Sequence, residues 1–184
     1  MHSQINIKTR RLLLREFIKD DLAAVQSYAS DSEVVRYMEW GPNSVDETRE
    51  FISRVIANQD EKPRLKFELA ILIENKLIGA CNLTITNATT KQAFIGYCFN
   101  KTYWGKGYAT EVAKKLLNFG FNQLKLHRIY ATCDVGNIAS KKVLQKIGMT
   151  KEGHLRENKL IRGEWRDSFL FSILEQEYNN IKTV

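Results

Sequence analysis

Two glycines separated by one residue, Gly105 and Gly107, have the residue types and spacing of a phosphate-binding turn. The first N–H groups of a helix have no intrahelical acceptor, and together with the helix dipole they attract anions. A glycine lacks the Cβ atom that would keep a phosphate away from the backbone, and it tolerates positive φ. Lys106 adds a cation at the same place. We therefore predict that this turn binds a phosphorylated ligand, although two glycines alone would equally well permit a tight connection between a strand and a helix.

The residues on both sides place the turn at the start of a helix. Residues 93 to 99 are rich in aromatic and β-favouring types, which predicts a strand, and Gly96 inside it indicates a bulge or a close backbone approach. After the turn, apolar residues recur with helical spacing from Ala109 to Gly120. Residues 128 to 133 are typical of a further strand. The central unit is thus strand, glycine turn, helix and strand.

A dinucleotide is the first ligand class that such a unit suits. Asp134 closes the second strand, where an acid would hold a ribose. Three features count against this interpretation: Thr110 occupies the third glycine position, five residues separate the first strand from the glycines, and about ninety residues precede the unit. A P-loop is disfavoured because no Gly-Lys-Ser/Thr closes a run of the required spacing.

The string Trp-Gly-Lys-Gly-Tyr-Ala-Thr-Glu at residues 104 to 111 resembles the acyl-CoA motif of the GNAT N-acetyltransferase superfamily. Trp104 stands where most members have Arg or Gln, and Tyr-Trp-Gly-Lys-Gly resembles the branch of Rim-type ribosomal-protein N-terminal acetyltransferases. Two later blocks, at residues 127 to 149 and 152 to 167, also resemble this family. The resemblance implies an α/β fold, called α+β in some schemes. Its mixed, mostly antiparallel sheet has six or seven strands and about four flanking helices, and its fourth and fifth strands are parallel and splayed around acyl-CoA.

The same resemblance implies acetyl-CoA as cosubstrate and assigns its contacts. Cys98, Phe99 and Asn100 would supply main-chain contacts to the pantetheine arm, and the N–H near Cys98 or Phe99 would polarise the thioester carbonyl. Residues 105 to 110 would hold the pyrophosphate, and Asn137 would contact pantetheine, although a simple helix N-cap explains Asn137 equally well. The residues assigned to acetyl-CoA are Cys98, Phe99, Asn100, Trp104, Gly105, Lys106, Gly107, Tyr108, Ala109, Thr110, Asn137 and Ser140.

Many members of the family carry at position 144 a tyrosine that protonates the departing thiolate, and this chain has Leu144 there. Ser140, one helical turn earlier, resembles the serine proposed for that role in the ribosomal-protein branch, and we expect it to donate a hydrogen bond to sulfur. Helical geometry predicts two faces on this helix. The face expected toward CoA carries positions 137, 140, 141 and 144, and the face expected toward the sheet carries positions 139, 143 and 147.

The acceptor amine must lose a proton before its nitrogen attacks the thioester, so a carboxylate or a water chain leading to one should lie nearby. Glu68 is the preferred base because a strand fixes its side chain near the cleft, although an exposed alternating polar residue would look the same. Glu39, Glu111 and Asp167 are the other candidates. Glu111 is better explained as an acid that suits a helix N-terminus.

Composition bounds the remaining possibilities. The net charge of +7 and the pI of about 9.3 come from dispersed lysines and arginines, so we expect a solvated basic surface and no direct nucleic-acid role. No apolar run reaches the length of a membrane span, and the first residues lack signal-peptide character. Three cysteines without CxxC spacing predict buried thiols and no metal site. We expect a cytoplasmic protein, either a monomer or a homodimer, made of one acetyltransferase domain over residues 1–184.

The coarse secondary structure completes the prediction. We expect one strand over Ile7 to Glu16 and a helix from the cap at residues 19 to 21 to about Ala29. Ser44 and Glu47 have the spacing of a capping box, which starts a helix to about Asn58. The other expected features are a hairpin of residues 65 to 73 and 77 to 86, a helix ended by Gly148, and strands near 150–160 and 165–175.

Together these features predict an N-acetyltransferase that moves the acetyl group directly to a primary amine in a ternary complex, without an acyl-enzyme. The resemblance favours a protein N-terminal α-amine, such as that of a ribosomal protein. A small amine, an amino acid or an antibiotic is the alternative acceptor. A non-catalytic CoA-binding module is the alternative of another class, supported by the missing tyrosine at position 144.

Overall fold

The computed structural model of the chain describes residues 5–182, the last two by their backbone alone. These residues form eight strands and five α-helices. In chain order the elements are β1 (Asn6–Lys8), β2 (Leu13–Glu16), α1 (Leu22–Ala29), α2 (Val45–Ala57), β3 (Lys66–Ile73), β4 (Lys76–Asn87), β5 (Gln92–Phe99), α3 (Tyr108–Asn118), β6 (Arg128–Asp134), α4 (Ile138–Lys146), β7 (Thr150–Ile161), β8 (Glu164–Leu174) and α5 (Glu175–Lys182).

All eight strands belong to one mixed sheet with the spatial order β1-β2-β3-β4-β5-β6-β8-β7. Every neighbouring pair is antiparallel except β5 and β6, which are parallel. The predicted GNAT fold is therefore confirmed, with one strand and one helix more than the upper counts expected. The added helix is α5, whose Tyr178 stacks on Phe121 with ring centroids 4.9 Å apart.

The N-terminal strand predicted over Ile7 to Glu16 was wrong, because the chain turns in its middle. Thr9 N–H donates to the Leu12 carbonyl at 2.9 Å, and Leu12 N–H donates to Thr9 Oγ1 at 2.9 Å. A threonine side chain that bonds the nearby backbone competes with a strand ladder in this way. The turn produces the hairpin β1–β2, so the predicted fourth and fifth strands are β5 and β6.

Other predicted elements are confirmed by their local contacts. Ser44 Oγ accepts from Glu47 N–H at 3.2 Å while Ser44 N–H donates to the Glu47 carboxylate at 2.7 Å, which is the capping box that starts α2. Glu74 and Asn75 have φ of 47° and 63°, as a two-residue hairpin turn between β3 and β4 requires. Gly148, with φ of 88°, ends α4 as predicted.

Two apolar clusters lie on opposite faces of the sheet. The larger cluster lies beneath α3 and α4, and the smaller cluster lies beneath α1 and α2. Between β5 and β6, backbone pairing is limited to three positions, from Gln92↔Arg128 to Phe94↔Tyr130. Beyond Phe94 and Tyr130 the two strands separate, and the opening faces the turn that leads into α3. Within residues 5–182, no helix is both long and apolar enough to cross a membrane.

Candidate active site

A cleft of about 1380 Å³ opens where β5 and β6 separate, and helices from both faces of the sheet contribute to its walls. Its size suits a ligand larger than a typical small metabolite. Lys106 and Asn100 are the two predicted site residues that do not line it. The predicted site residues that line it are Glu68, Cys98, Phe99, Trp104, Gly105, Gly107, Tyr108, Ala109, Thr110, Asn137 and Ser140.

The glycine turn has the backbone geometry that its sequence predicts. Gly105 and Gly107 have φ of 75° and 78°, a region that residues with a Cβ rarely adopt. Gly107 is the N-cap of α3, which begins at Tyr108. A Cβ placed on Gly105 would have no neighbour within 4 Å, so the space beside the turn is open. The first N–H groups of α3 therefore face an accessible space where an anion could bind.

Arg11 and Glu111 fasten this turn to the β1–β2 hairpin. The Glu111 carboxylate accepts from Thr9 Oγ1 at 2.6 Å, from Arg11 N–H at 2.8 Å and from Arg11 Nε at 2.7 Å. Arg11 also donates from Nη1 to the Lys106 carbonyl at 3.0 Å. Burial opposes ionisation of Glu111, but the hydrogen bonds from Thr9 and Arg11 outweigh it and lower the pKa of the carboxyl. These contacts give Glu111 a structural role outside the cleft.

Trp104 holds the end of β5 against the turn. Its indole Nε1–H donates to the Phe99 carbonyl at 2.8 Å, and 45% of the residue remains exposed. The polar edge of the ring is therefore occupied by the chain itself. This hydrogen bond gives the tryptophan a structural role at the end of β5.

Backbone pairing shows which of the three N–H groups at the end of β5 can donate a hydrogen bond to a ligand in the cleft. Asn100 N–H donates to the Ile78 carbonyl of β4 at 2.9 Å. Because antiparallel ladders alternate, Cys98 also directs its N–H toward its partner Ala80 on β4. Phe99 directs its N–H to the other side, toward the opening between β5 and β6. Of the three predicted main-chain contacts, Phe99 therefore has the N–H oriented toward the cleft.

The start of α4 combines a cap with a candidate donor. Asn137 is the N-cap, and its side-chain oxygen accepts from Ser140 N–H at 3.0 Å. The side chain of Ser140 contacts Tyr97 on β5, with the two hydroxyl oxygens 3.1 Å apart. The sequence interpretation missed Tyr97, because the contact joins two elements that are distant in the chain. Strand alternation around the predicted residue Cys98 was the only available signal.

The two faces predicted for α4 are present only in part. Ser140 and Leu144 of the face expected toward CoA line the cleft, and Leu144 is at the same time buried, with 1% exposed. Ile147 of the face expected toward the sheet is buried, but Ala139 of that face is exposed and lines the cleft. The buried side of α4 follows positions 140, 144 and 147, which are four and three residues apart, as one helical face requires. Ser140 therefore lies on the sheet side of the helix, where it meets Tyr97.

Of the four candidate bases, Glu68 and Glu39 line the cleft, whereas Asp167 and Glu111 do not. Glu68 is half-buried, lines the cleft and accepts from Asn58 Nδ2 at 3.1 Å. Glu39 also lines the cleft, but it pairs with Lys159 at 2.6 Å. Asp167 accepts from Glu157 N–H at 2.8 Å and lies 2.6 Å from His154 Nε2; it is not a lining residue. Hydrogen bonds from Glu157 and His154 lower the pKa of Asp167.

The loop of residues 30 to 44, between α1 and α2, forms one wall of the cleft, and the sequence predicted no structure for it. Arg162, at the tip of the β7–β8 hairpin, donates to four carbonyls of this loop. Three of them are close, those of Val35 at 3.0 Å, Arg36 at 2.8 Å and Gly41 at 2.9 Å, and that of Met38 is at 3.5 Å. The Tyr37 hydroxyl donates to the Gly136 carbonyl at 3.1 Å. These long-range contacts fix the loop, and no local sequence signal encodes them.

The charge of the cleft differs from that of the whole chain. Six carboxylate residues and four basic residues line it, although the chain has a net charge of +7. A surplus of carboxylates attracts cations. The lining carboxylates are Glu33, Glu39, Glu47, Glu50, Glu68 and Asp134, and the lining basic residues are Arg54, Lys142, Lys146 and Lys159.

The cysteines in and beside the cleft are free thiols that resist ionisation. Burial raises the pKa of Cys98 to about 12 and that of Cys133 to about 11. Burial also raises the pKa of Cys81. Since a thiolate is the nucleophilic form, none of the three is activated for attack at neutral pH. No group of His, Cys, Asp or Glu in residues 5–182 is arranged to hold a metal ion.

Comparison with known proteins gives consistent matches. The family described as an acetyltransferase (GNAT) domain matches residues 11–150. The uncharacterized N-acetyltransferase YnaD of Bacillus subtilis (strain 168) is 37% identical over 176 residues, which are 95% of this chain and 100% of that protein. Most of the elements described above therefore fall within the matched region.

Two solved structures carry bound ligands. Spermidine N-acetyltransferase from Vibrio cholerae, in complex with CoA and spermine, has a TM-score of 0.80 and 26% identity, and the match covers 92% of this chain and 99% of that one. RimL, a ribosomal L7/L12 α-N-protein acetyltransferase in complex with coenzyme A, has a TM-score of 0.84 and 19% identity, with coverage of 92% and 98%. At 19% identity, the likeness to RimL shows the fold alone.

Proposed function

The chain belongs to the GNAT acetyltransferase family and is an N-acetyltransferase that uses acetyl-CoA, and we propose that its cleft transfers the acetyl group directly to a protein N-terminal α-amine. The observation that carries this proposal is the separation of β5 from β6 beside the glycine turn. We further propose that residues 1–184 act as one domain. A cytoplasmic location and a monomeric or dimeric state stay predictions.

Acetyl-CoA would enter the cleft with its pyrophosphate on the turn at residues 105–110. The N–H groups at the start of α3 and the Lys106 ammonium would neutralise its charge. The pantetheine arm would lie along β5, beside Asn137. Phe99 N–H would donate to the thioester carbonyl and stabilise the oxyanion that forms there. Trp104 would act by holding the Phe99 carbonyl, and thus the end of β5, in place.

Two side chains would then assist the transfer, one by removing the proton of the amine and the other by stabilising the departing thiolate. Glu68 would take the proton of the acceptor amine, directly or through water. Ser140 would donate a hydrogen bond to the departing thiolate. A covalent cysteine intermediate is disfavoured because burial raises the pKa of Cys98 to about 12 and that of Cys133 to about 11. Direct transfer in a ternary complex fits these thiols.

The acceptor class has two candidates. The Tyr-Trp-Gly-Lys-Gly string supports a protein α-amine such as that of a ribosomal protein. The surplus of carboxylates in the lining supports a small polyamine as the second candidate, since a polyamine would keep a positive charge after one amine is acetylated. The Vibrio cholerae relative named above binds spermine.

An acceptor screen tests the proposal. Purified protein and acetyl-CoA are mixed with ribosomal proteins, N-terminal peptides, spermidine, amino acids and aminoglycosides, while thiol release and intact mass are followed. A mass gain of one acetyl group at the α-amine of a protein is expected. Modification of polyamines alone would replace the first candidate with the second.

Substituting Glu68 tests the chemistry separately. With the acceptor that the screen finds, Glu68→Gln should lower kcat about a hundredfold. It should leave the dissociation constant of acetyl-CoA unchanged. The surface substitution Glu61→Gln is the matched control. An unaltered kcat in Glu68→Gln would remove Glu68 from the mechanism.

A further inference from the structure

A pair of hydroxyl groups joins the two walls of the cleft where β5 and β6 separate. The hydroxyl oxygens of Tyr97 and Ser140 lie 3.1 Å apart. Tyr97 is on β5, Ser140 is in the first turn of α4, and both line the cleft. The pair is therefore at the place where the pantetheine arm would pass.

Strand alternation explains why Tyr97 reaches α4. Tyr97 packs against the cluster beneath α3 and α4, as do Ile95 and Phe99, two residues away on either side. Cys98, between them, packs against the opposite cluster. The sheet thus fixes the direction of the tyrosine ring, and its hydroxyl end meets Ser140.

Without Tyr97 as a partner, the Ser140 hydroxyl would be a weak hydrogen-bond donor to sulfur. A serine hydroxyl is less acidic than a phenol, and position 144, where the family places its phenol, holds a leucine that is 1% exposed. A hydroxyl that accepts one hydrogen bond becomes a stronger donor of another. Burial raises the pKa of Tyr97 to about 12, although the hydrogen bond with Ser140 opposes this rise. The phenol therefore stays protonated and can donate at neutral pH.

We propose that Tyr97 is a positioning residue for acetyl transfer, whose hydroxyl donates to Ser140 Oγ and so directs the Ser140 proton toward the sulfur of CoA. This inference rests on the proposed role of Ser140. When the carbon–sulfur bond breaks, the electron pair stays on sulfur, and the Ser140 hydroxyl stabilises the thiolate by a hydrogen bond until solvent protonates it. Tyr97 and Ser140 both keep their protons. A phenol on β5 thus strengthens a serine donor to sulfur in a chain that has no phenol at position 144.

A double-mutant cycle tests the inference. With an acceptor from the screen, Tyr97→Phe and Ser140→Ala should each lower kcat about tenfold. The double variant should lie within about twofold of Ser140→Ala, because Tyr97 acts through Ser140. The dissociation constant of acetyl-CoA, measured by calorimetry, should stay unchanged. Tyr130→Phe, which removes a hydroxyl from β6 outside the cleft, is the matched control and should leave kcat unchanged.

The thiol of bound CoA gives a second readout that needs no acceptor. A donor aimed at sulfur stabilises the thiolate, so the protein should lower the pKa of the bound thiol relative to free CoA. Tyr97→Phe should raise this pKa by about one unit, measured by ultraviolet difference titration of the thiolate. A Tyr97 with a purely structural role would leave the thiol pKa unchanged.

The possible failures are distinguishable. If Ser140→Ala leaves both kcat and the thiol pKa unchanged, the proposed donor is wrong and the inference fails with it. If Ser140→Ala changes them and Tyr97→Phe does not, only the inference is wrong. Additive losses of kcat in the double variant also overturn it, because Tyr97 would then act without Ser140.

Discussion

Hydrogen bonds from Arg162 hold the loop between α1 and α2, which forms one wall of the cleft. We call this loop the acceptor wall, because we expect the acceptor to bind beside it. The Arg162 guanidinium donates to the carbonyls of Val35, Arg36 and Gly41 at 2.8 to 3.0 Å and thereby joins the β7–β8 hairpin to the loop. Each net hydrogen bond contributes roughly 1 kcal/mol, and exposure of Arg162 reduces the three together to about 1–2 kcal/mol. A loss of this size changes the population of the ordered loop about 5- to 30-fold.

Arg162→Ala should therefore raise the KM for the acceptor about tenfold, because the loop lines the cleft and must be ordered to form its wall. The kcat at saturating acceptor and the dissociation constant of acetyl-CoA should stay unchanged, since the glycine turn is on another wall. Arg162→Lys should recover only part of the effect, because an ammonium cannot donate in the fixed fork of a guanidinium.

Steady-state kinetics with varied acceptor and calorimetry with acetyl-CoA provide the measurements. Arg49→Ala is the matched control, because Arg49 is an exposed arginine on α2 whose ion pair is with Asp46, its neighbour on the same helix. An acceptor KM that does not change in Arg162→Ala would refute the reasoning. An equal loss of acetyl-CoA affinity would also refute it, since the effect would then not be confined to the loop.

Two further substitutions test the contacts that hold the glycine turn. Glu111→Gln should lower the melting temperature at neutral pH, and the difference from the parent should shrink as pH falls below the ordinary carboxyl pKa of 4.5, because a carboxylate with a lowered pKa stabilises the fold only while it is ionised. Melting curves over this pH range measure the effect, and a difference independent of pH would contradict it. Trp104→Phe removes the donor to the Phe99 carbonyl and should weaken acetyl-CoA binding about threefold to tenfold. Calorimetry measures this affinity, and an unchanged value would show that the indole N–H is not needed.

Sequence patterns correctly predicted the helix ends that are fixed by contacts between residues close together in the chain. The Ser44–Glu47 capping box and the Gly148 terminus each depend on residues within one helical turn, and both are present in the structure. The resemblance to the family predicted the parallel strand pair. The β1–β2 turn was missed because the Thr9 side chain, rather than glycine or proline, creates it.

The candidate site was less predictable because its contacts join distant residues. Glu111 looked like an acid placed for the helix dipole, but Arg11, a hundred residues earlier, engages it. Ser140 was singled out on its helix, but its contact with Tyr97 joins residues 43 positions apart, which no local pattern encodes. Arg162 shows no pattern at all in the sequence, since all its partners are backbone carbonyls of a remote loop.

The glycine turn offers the most direct test of the central claim, which is that acetyl-CoA binds in this cleft. Gly107 and Gly163 have similar φ, 78° and 82°, so a side chain strains the backbone similarly at both positions. Gly107 borders the proposed pyrophosphate site, whereas Gly163 lies at the tip of the β7–β8 hairpin. Circular dichroism establishes that Gly107→Leu and Gly163→Leu are folded, and calorimetry with acetyl-CoA then gives the affinity. Loss of measurable binding in Gly107→Leu, with parental affinity in Gly163→Leu, is the predicted result, and parental affinity in Gly107→Leu would contradict the assignment.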